Sequence, residues 1–405
     1  MRTDTSARRP RRGPTTVTVP VLPPAPVVRA ALAPAVVYLA VRGVGTAVLV
    51  LLAGANGGRL GDRLDAWDGH WFLGIAQGWY GDVPLGLVDA SGARTAATPL
   101  AFFPGYPALV AIVRFVTGVP LLVAAVVVTV GAGVLAAYAV ARIGRAVPGG
   151  SPRAGLVLVA LFASAPMAVV LSMAYSEALF CACAAWALVF LLERRWSAAG
   201  MCCLAAGLVR PTAWALLIVA VAAAAVALYR REDDARPWAT IALAPVGLLG
   251  YLAWVGLHTG SPTGWFTLQA TGWGSRVDGG QATLRWAGSV LASGPSIFEV
   301  GTILALAGAG VLLLVGLRDA AAAALPWTLY CYGALVVAMD VGSAGVMASK
   351  ARLLLPAFTL LIPVAIALAR LAERHRVAAV GLVAGVVLAS AWFGGYAVAI
   401  WPAAI

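Results

Sequence analysis

The stretch RLDAWDGHWFLGIAQGWY, residues 63–80, is the densest polar and aromatic passage in a chain otherwise rich in alanine, valine, leucine and glycine. Apolar and aromatic side chains recur through it at helical spacing and form one stripe: Leu64, Trp67, Trp71, Ile75 and Trp79. Asp65 and Asp68 are three residues apart and fall on an adjoining face of the same helix. The pattern predicts a helix that lies along a membrane surface with its indoles at headgroup level. The two carboxylates then either face water beside an interfacial anchor or take part in catalysis.

The composition is that of a polytopic helical membrane protein. Of the 405 residues, 62% are hydrophobic and 11% are charged, and long uncharged apolar runs recur between residues 27 and 401. These runs exclude a soluble multidomain protein, because no polar surface is large enough to cover such a core. The formal net charge of +12 does not indicate a nucleic-acid partner, since six arginines lie at the N-terminus and most others cluster beside apolar segments, as cytoplasmic flanks do.

The apolar runs predict an all-α fold of roughly 9–11 transmembrane helices. Run 155–192 is long enough to cross twice, and a break at Ser176-Glu177 makes it a hairpin. Run 198–229 is predicted to be a second, shorter hairpin with its break at Arg210-Pro211. Segment 101–118 is too short to cross and is expected to be re-entrant or interfacial. Single spans are predicted at residues 27–53, 120–141, 238–257, 297–317, 321–339, 353–371 and 377–401. Residues 27–402 are expected to form one domain after a disordered cytoplasmic tail, residues 1–26.

The distribution of arginine predicts which ends of the helices face the cytoplasm. Arginines in the tail, between residues 142 and 153, and at 194–195, 230–231, 318 and 374–376 all fall on one side if segment 101–118 does not cross. The N-terminus is then cytoplasmic. The loops at about 54–119, 259–296 and 340–352 then lie on the extracytoplasmic side of the plasma membrane. That side also receives the break at Arg210 and the turn at Glu177.

Several of these outward residues have two interpretations. Arg210, Lys350 and Arg352 either bind a phosphate or only meet phospholipid headgroups. Glu177 begins a helix, where a carboxylate either caps the helix or has a functional role. Tryptophans on this side either stack on sugars or sit at the interface as tryptophan commonly does: Trp67, Trp71, Trp265, Trp273 and Trp286.

The chemistry open to such a face is transfer from a lipid-linked donor. Nucleotide sugars are cytoplasmic, so the donor expected outside is a lipid-linked sugar phosphate. Transfer with inversion requires one carboxylate as general base for the acceptor hydroxyl, and cations for the departing phosphate. The sequence has neither an Asp-x-Asp pair nor a histidine cluster, so no metal and no cofactor are predicted.

An ordered set of short motifs resembles the PIG-V-like mannosyltransferases, in a bacterial member of that family. The motifs are Trp67-Asp68-Gly69-His70, Phe102-Phe103-Pro104-Gly105-Tyr106-Pro107, Tyr175-Ser176-Glu177, Arg210-Pro211-Thr212, Gln269 with Trp273, and Lys350-Ala351-Arg352. The resemblance implies a GT-C fold and inverting, metal-independent transfer of mannose from a polyprenyl phosphate. The acceptor would be a hydroxyl of a lipid-linked glycan, a lipoglycan or a protein. Segment ARTAATPL, residues 93–100, lacks the acidic residue that some relatives carry there, which leaves the acceptor and the sugar open.

The resemblance also assigns roles to residues. Asp68 is the expected base, with Asp65 and Glu177 as supporting acids. The residues expected to bind substrate are His70, Trp67, Tyr106, Arg210, Gln269, Trp273, Lys350 and Arg352.

Two other functions fit the same composition. A flippase or transporter of lipid-linked saccharides would show internal repeats and polar residues near the membrane midplane, and the sequence has no evident repeat. A GT-C enzyme that uses another polyprenyl-phosphate sugar, such as arabinose or glucose, would have the same features as a mannosyltransferase.

Overall fold

The computed structural model describes residues 25–293 and 296–405. The predicted tail, residues 1–26, lies outside the described residues except for the two with which the first helix begins. By its contacts the chain divides into two units, Met1–Ala33 and Pro34–Ile405. The described part of the first unit is the beginning of that helix. The second unit contains every other element and the site discussed below.

Most of the described residues are helical, and the rest form turns, loops such as residues 79–97, and one isolated β-bridge, which confirms the predicted all-α fold. Helices are numbered along the chain. Six helical segments of the described residues are long and apolar enough to cross a membrane. They are α1 (Ala25–Ala55), α5 (Leu121–Ala146), α10 (Trp238–Thr259), α13 (Ile297–Ala321), segment Leu355–Arg374 containing α16 (Ile362–Arg374), and α17 (Arg376–Ala399).

Six further apolar helices are shorter, and they include both predicted hairpins. The predicted span 321–339 is also among them, as a helix of 15 residues that begins only at Trp327. The first hairpin breaks before Glu177 and the second between residues 207 and 213, as predicted. Segment 101–118 forms one helix of 13 residues, about 20 Å long, which is too short to cross the hydrocarbon core. These helices are α4 (Gly105–Thr117), α6 (Pro152–Ala163), α7 (Glu177–Leu192), α8 (Trp196–Gly207), α9 (Ala213–Tyr229) and α14 (Trp327–Val341).

The remaining helices are short and lie in the three predicted polar loops. They are α2 (Leu60–Leu64), α3 (Asp68–Gly78), α11 (Gly264–Trp273), α12 (Gln281–Ala292) and α15 (Lys350–Leu353).

Residues 63–80 do not form one helix, and this prediction was wrong. Helix α2 ends at Leu64, α3 begins at Asp68, and Trp67 between them has φ of 54°. The carbonyl of Leu64 accepts a hydrogen bond from the amide of Ala174 at 2.7 Å, and that of Ala66 accepts one from the Tyr175 hydroxyl at 3.1 Å. These two carbonyls therefore form hydrogen bonds with the connection between α6 and α7, at the positions where a continuous helix would have its own backbone hydrogen bonds.

The predicted interfacial stripe is also corrected by the structure. Trp71 and Ile75 are buried in the protein rather than exposed at headgroup level, and only Trp79 is about half exposed. Because the helix breaks between them, Asp65 and Asp68 do not share a face of one helix.

Glycines allow α8 and α10 to pack closely against each other. A methyl group on Gly247 would overlap the carbonyl oxygen of Leu204, and one on Gly207 would overlap the backbone of Leu248. The backbones therefore touch at this crossing, which holds α10 and the loop that follows it in position. Gly250, one turn further along α10, has no atom within 4 Å of the position that a methyl group would take.

We expect Gly247→Ala to destabilise the fold, because the overlapping atom belongs to the backbone and cannot rotate away. Overpacking of this kind costs about 1–3 kcal/mol, whereas alanine for an unhindered helical glycine gains about 0.5–1 kcal/mol. The melting temperature of each purified variant in detergent measures the difference. Gly250→Ala on the same helix is the matched control, and an equal or higher melting temperature for Gly247→Ala would contradict the assigned packing.

Candidate active site

A cavity of about 530 Å³ lies among the three polar loops and the two hairpin breaks. Asp68 at the start of α3, Arg210 at the break before α9, and Arg352 in α15 all border it. Seven further residues that the sequence analysis named as substrate-binding or sugar-stacking candidates also border the cavity: Trp67, His70, Trp71, Trp265, Gln269, Trp273 and Lys350. Segments far apart in the sequence thus converge on one space.

A chain of alternating charges forms one wall of this cavity. Arg352 Nη1 donates a hydrogen bond to Asp68 Oδ2 at 2.7 Å, and Arg352 Nε is 3.5 Å from Glu177 Oε1. Arg210 Nη1 is 2.7 Å from the same Glu177 oxygen and donates a hydrogen bond to Ser176 Oγ at 3.0 Å. The order along the wall is Asp68, Arg352, Glu177, Arg210. Burial lowers the pKa of Arg352, but the neighbouring carboxylates raise it by a larger amount. The net pKa is therefore raised, and the guanidinium group stays positively charged.

Glu177 lies beneath the cavity and does not border it. Its side chain is 1% exposed, and its carboxylate accepts no hydrogen bond of good geometry among the described residues. The close approach of Arg210 is therefore an ion pair rather than an aligned hydrogen bond. The structure supports an electrostatic role for Glu177, since the carboxylate faces two arginines and caps no backbone amide of α7.

Besides the buried Glu177 oxygens and the buried Nε atoms of Arg210 and Arg352, three polar atoms of this wall have no hydrogen-bond partner among residues 25–293 and 296–405. They are Asp68 Oδ1 and the Nη2 atoms of Arg210 and Arg352. None of the three belongs to the buried unpartnered atoms, so each keeps some accessible surface, although the side chains of Arg210 and Arg352 are only 11% and 8% exposed. The wall can therefore offer one proton acceptor and two guanidinium donors to a ligand.

Lys350 borders the cavity, but its ammonium group is directed to the protein. Lys350 Nζ donates hydrogen bonds to the carbonyls of Asp340 at 2.5 Å and Ser343 at 2.8 Å, and lies 3.9 Å from Asp340 Oδ1. Burial lowers the pKa of Lys350 more than the carboxylates of Asp340 and Asp278 raise it. Lys350 thus directs its hydrogen bonds to protein carbonyls, whereas the Nη2 atoms of Arg210 and Arg352 remain available to a ligand.

Asp65 and His70 form a separate pair at the mouth of the cavity. Asp65 Oδ1 is 3.6 Å from His70 Nε2, and the imidazole is half exposed. The pKa of His70 is raised, chiefly by its contact with the Asp65 carboxylate, while partial burial opposes the rise. Asp65 does not border the cavity itself, so the structure places it behind His70 rather than beside Asp68.

Aromatic rings form a second wall. Trp71 stacks on Phe102 with centroids 5.2 Å apart, and Trp273 meets Phe102 edge to face at 5.5 Å. Gln269 and Trp265 both donate hydrogen bonds to the carbonyl of Ala101, which fixes α11 against the segment before α4.

Two residues singled out by the sequence lie away from the cavity. The Tyr106 ring is fully buried and its hydroxyl bonds to Thr129 and to the carbonyl of Ala125, so it packs α4 on α5. Trp286, on α12, does not border the cavity.

Sequence reasoning missed several residues of the site. Asp89 borders the cavity, and its Oδ1 accepts hydrogen bonds from Ser91 and Ala93, an Asx-type turn that Asp-Ala-Ser-Gly could have indicated. No sequence pattern indicated Ser343 and Asp340, since neither belongs to a motif.

Among residues 25–293 and 296–405, no three His, Cys, Asp or Glu side chains are grouped so as to hold a metal ion.

No protein-family model and no curated protein matches the sequence. Among solved structures, ArnT from Cupriavidus metallidurans bound to undecaprenyl phosphate is 15% identical with a TM-score of 0.53, over 90% of this chain and 76% of ArnT. ArnT in the apo state is 14% identical with a TM-score of 0.50, over 82% and 71%. The Archaeoglobus fulgidus oligosaccharyltransferase is 14% identical with a TM-score of 0.47, over 89% and 53%. The chain therefore has the GT-C-like membrane fold of ArnT, as the motifs predicted.

Proposed function

We propose that this chain is an inverting glycosyltransferase that moves mannose from a polyprenyl phosphate to a hydroxyl of a lipid-linked glycan, a lipoglycan or a protein. The observation that carries the proposal is the wall of alternating charges, which combines an accessible carboxylate with two accessible guanidinium groups in one cavity. The GT-C-like fold supports it, because the structural neighbour ArnT binds undecaprenyl phosphate, a lipid phosphate of the required kind.

Asp68 is the proposed general base. Arg352 holds one carboxylate oxygen at 2.7 Å and leaves the other directed to the acceptor hydroxyl. The hydroxyl proton passes to Asp68 Oδ1 as the hydroxyl oxygen forms a bond to the anomeric carbon of the donor sugar. The bond between that carbon and the phosphate oxygen breaks, and the electron pair leaves with the polyprenyl phosphate.

The proposed phosphate ligands are the Nη2 atoms of Arg210 and Arg352. Both guanidinium groups are oriented by Glu177, so their free donors are fixed before the donor substrate arrives. In this proposal Glu177 is a positioning residue, and His70 adds a positive charge at the mouth when it is protonated. The aromatic wall of Trp71, Phe102 and Trp273 would face the apolar side of the sugar.

The ion pairs at the other ends of the helices support the proposed orientation in the membrane. Arg142 at the end of α5 pairs with Glu193 after α7, and Arg194 pairs with Asp233 before α10. Helix α7 therefore runs from the cavity at Glu177 to an arginine-rich end. By the positive-inside rule that end is cytoplasmic, and the proposed site is extracytoplasmic.

The direct test supplies the purified protein in lipid with radiolabelled polyprenyl-phosphate mannose and an extract of lipids and glycans. Label in a new product supports the proposal and identifies the acceptor. Label that crosses the bilayer without transfer would indicate a transporter instead. Product formed only from a different polyprenyl-phosphate sugar would keep the reaction class and replace mannose.

Asp68→Asn should abolish transfer while donor binding persists. The amide cannot accept the acceptor proton but can still accept the hydrogen bond from Arg352, so we expect kcat to fall by about 10²–10⁴-fold. Initial rates with saturating donor measure the loss. Asp62→Asn, at an exposed carboxylate of α2, is the control, and near-normal turnover by Asp68→Asn would remove it as the base.

Arg210→Gln should weaken donor binding more than it slows the chemical step. Loss of a charged hydrogen bond to phosphate is expected to raise the donor KM by about 10–100-fold. Arg285→Gln, at an exposed position of α12, serves as the matched control. An unchanged donor KM in correctly folded Arg210→Gln would exclude this arginine from the phosphate site.

The donor KM should depend on pH through His70. Because Asp65 raises the pKa of His70 above 6.5, the positive charge is present below the raised pKa and is lost as the pH rises through it. We therefore expect the donor KM to increase as the pH rises above 6.5 and through the raised pKa of His70.

His70→Gln should flatten this dependence, and Asp65→Asn should move it to lower pH. His258→Gln, an exposed histidine on α10, is the control. A wild-type profile that persists in His70→Gln would show that another group is responsible.

A further inference from the structure

Two loops that border the cavity are paired with each other, and we call residues 274–280 and 342–346 the paired loops. The amides of Asp278 and Gly279 both donate to the carbonyl of Gly342, at 3.0 and 3.1 Å, and the amide of Ala344 donates to Arg276 at 2.8 Å. These bonds flank an antiparallel β-bridge between Val277 and Ser343. One segment follows α11 and the other follows α14, so they join two parts of the fold that are distant in sequence.

Lys350 ties the second of the paired loops to α14. Its ammonium group donates hydrogen bonds to the carbonyls of Asp340, in the last turn of α14, and Ser343, in the loop that follows the helix. The side chains of Lys350 and Asp340 are 3% and 2% exposed, so this contact is buried. No hydrogen-bond donor reaches the Asp340 carboxylate among the described residues, and the lysine is the cation nearest to it.

The paired loops connect this contact to the aromatic wall. Gly345 has φ of 134°, a conformation that favours glycine, and lies beside Ser275 and Trp273, since a methyl group on it would contact Ser275 and the carbonyl of Trp273. Trp273 in turn meets Phe102. A continuous path of contacts thus leads from the lysine through the paired loops to the wall proposed to face the sugar.

We propose that Lys350 is a positioning residue that fixes the paired loops, and not a ligand of the donor phosphate. The inference rests on the proposed function for its activity readout, because the donor is the substrate proposed above. Hydrogen bonds to two carbonyls orient the ammonium group toward the protein, whereas Arg210 and Arg352 keep donors available. Loss of Lys350 should therefore act through the position of the loops.

A disulfide across the paired loops separates the two roles of Lys350. Val277 and Ser343 form a non-hydrogen-bonded antiparallel pair, whose Cα separation of about 4.5 Å is within the range of a disulfide. The test protein carries Lys350→Met, Val277→Cys and Ser343→Cys, and is assayed oxidised and then reduced. Lys350→Met alone should raise the donor KM by about 10–100-fold, as displaced positioning groups do.

If Lys350 only positions the loops, oxidation should lower the donor KM of the triple variant by about tenfold or more relative to the same protein after reduction. Mass spectrometry must show the cross-link between the two introduced cysteines. If the cross-link is complete and the donor KM is the same before and after reduction, the proposal is overturned and Lys350 acts on the substrate directly.

Two additions keep the test decisive. Lys350→Met leaves the buried Asp340 carboxylate without a cation, so a parallel series adds Asp340→Asn in case the single variant does not fold. Hydrogen exchange at the amides of Gly279 and Ala344 gives a readout that needs no substrate. Faster exchange in Lys350→Met supports the positioning role even if the proposed reaction fails, and unchanged exchange overturns it.

Discussion

The buried carboxylate of Glu177 is the constraint on which the site depends. A carboxylate that is 1% exposed requires nearby cations, and its own helix supplies none. Arg210 comes from the break between α8 and α9, and Arg352 from α15. Their convergence fixes how the second hairpin and the last polar loop sit against the start of α7. Asp68 pairs with Arg352, so Glu177 acts on the position of the proposed base indirectly, through this arginine.

The interrupted helices depend on a second constraint, the need of backbone groups inside a membrane protein for hydrogen-bond partners. Within a membrane protein, backbone groups that lack helical partners are tolerated only where protein or a water-filled cavity meets them. Both hairpin breaks and the gap between α2 and α3 occur around the cavity. The Leu64 and Ala66 carbonyls bond instead to Ala174 and Tyr175, and the two segments stabilise each other's irregular backbone. The short helices of this fold therefore end where the proposed chemistry is placed.

The sequence predicted those features that depend on local pattern. Apolar length located the spans, and charges at interrupted runs located Glu177, Arg210 and Arg352. The gap at residues 65–67 could not be predicted, because tertiary hydrogen bonds override a continuous helical pattern there. Lys350 was assigned to phosphate by its motif, whereas its bonds to Asp340 and Ser343 depend on how a loop folds back.

The charges of the wall also bear on how donor binding and catalysis are related. Asp68, Arg352, Glu177 and Arg210 sum to zero, so the cavity holds no excess of positive charge from these four side chains. A phosphate must therefore be recognised by directed donors, the two Nη2 atoms, rather than by net attraction. Because Arg352 would hold both the phosphate and Asp68, a phosphate that draws this guanidinium also changes the position and charge environment of the base. In this arrangement, donor binding and orientation of the base are coupled, since Arg352 would contact both the donor phosphate and Asp68.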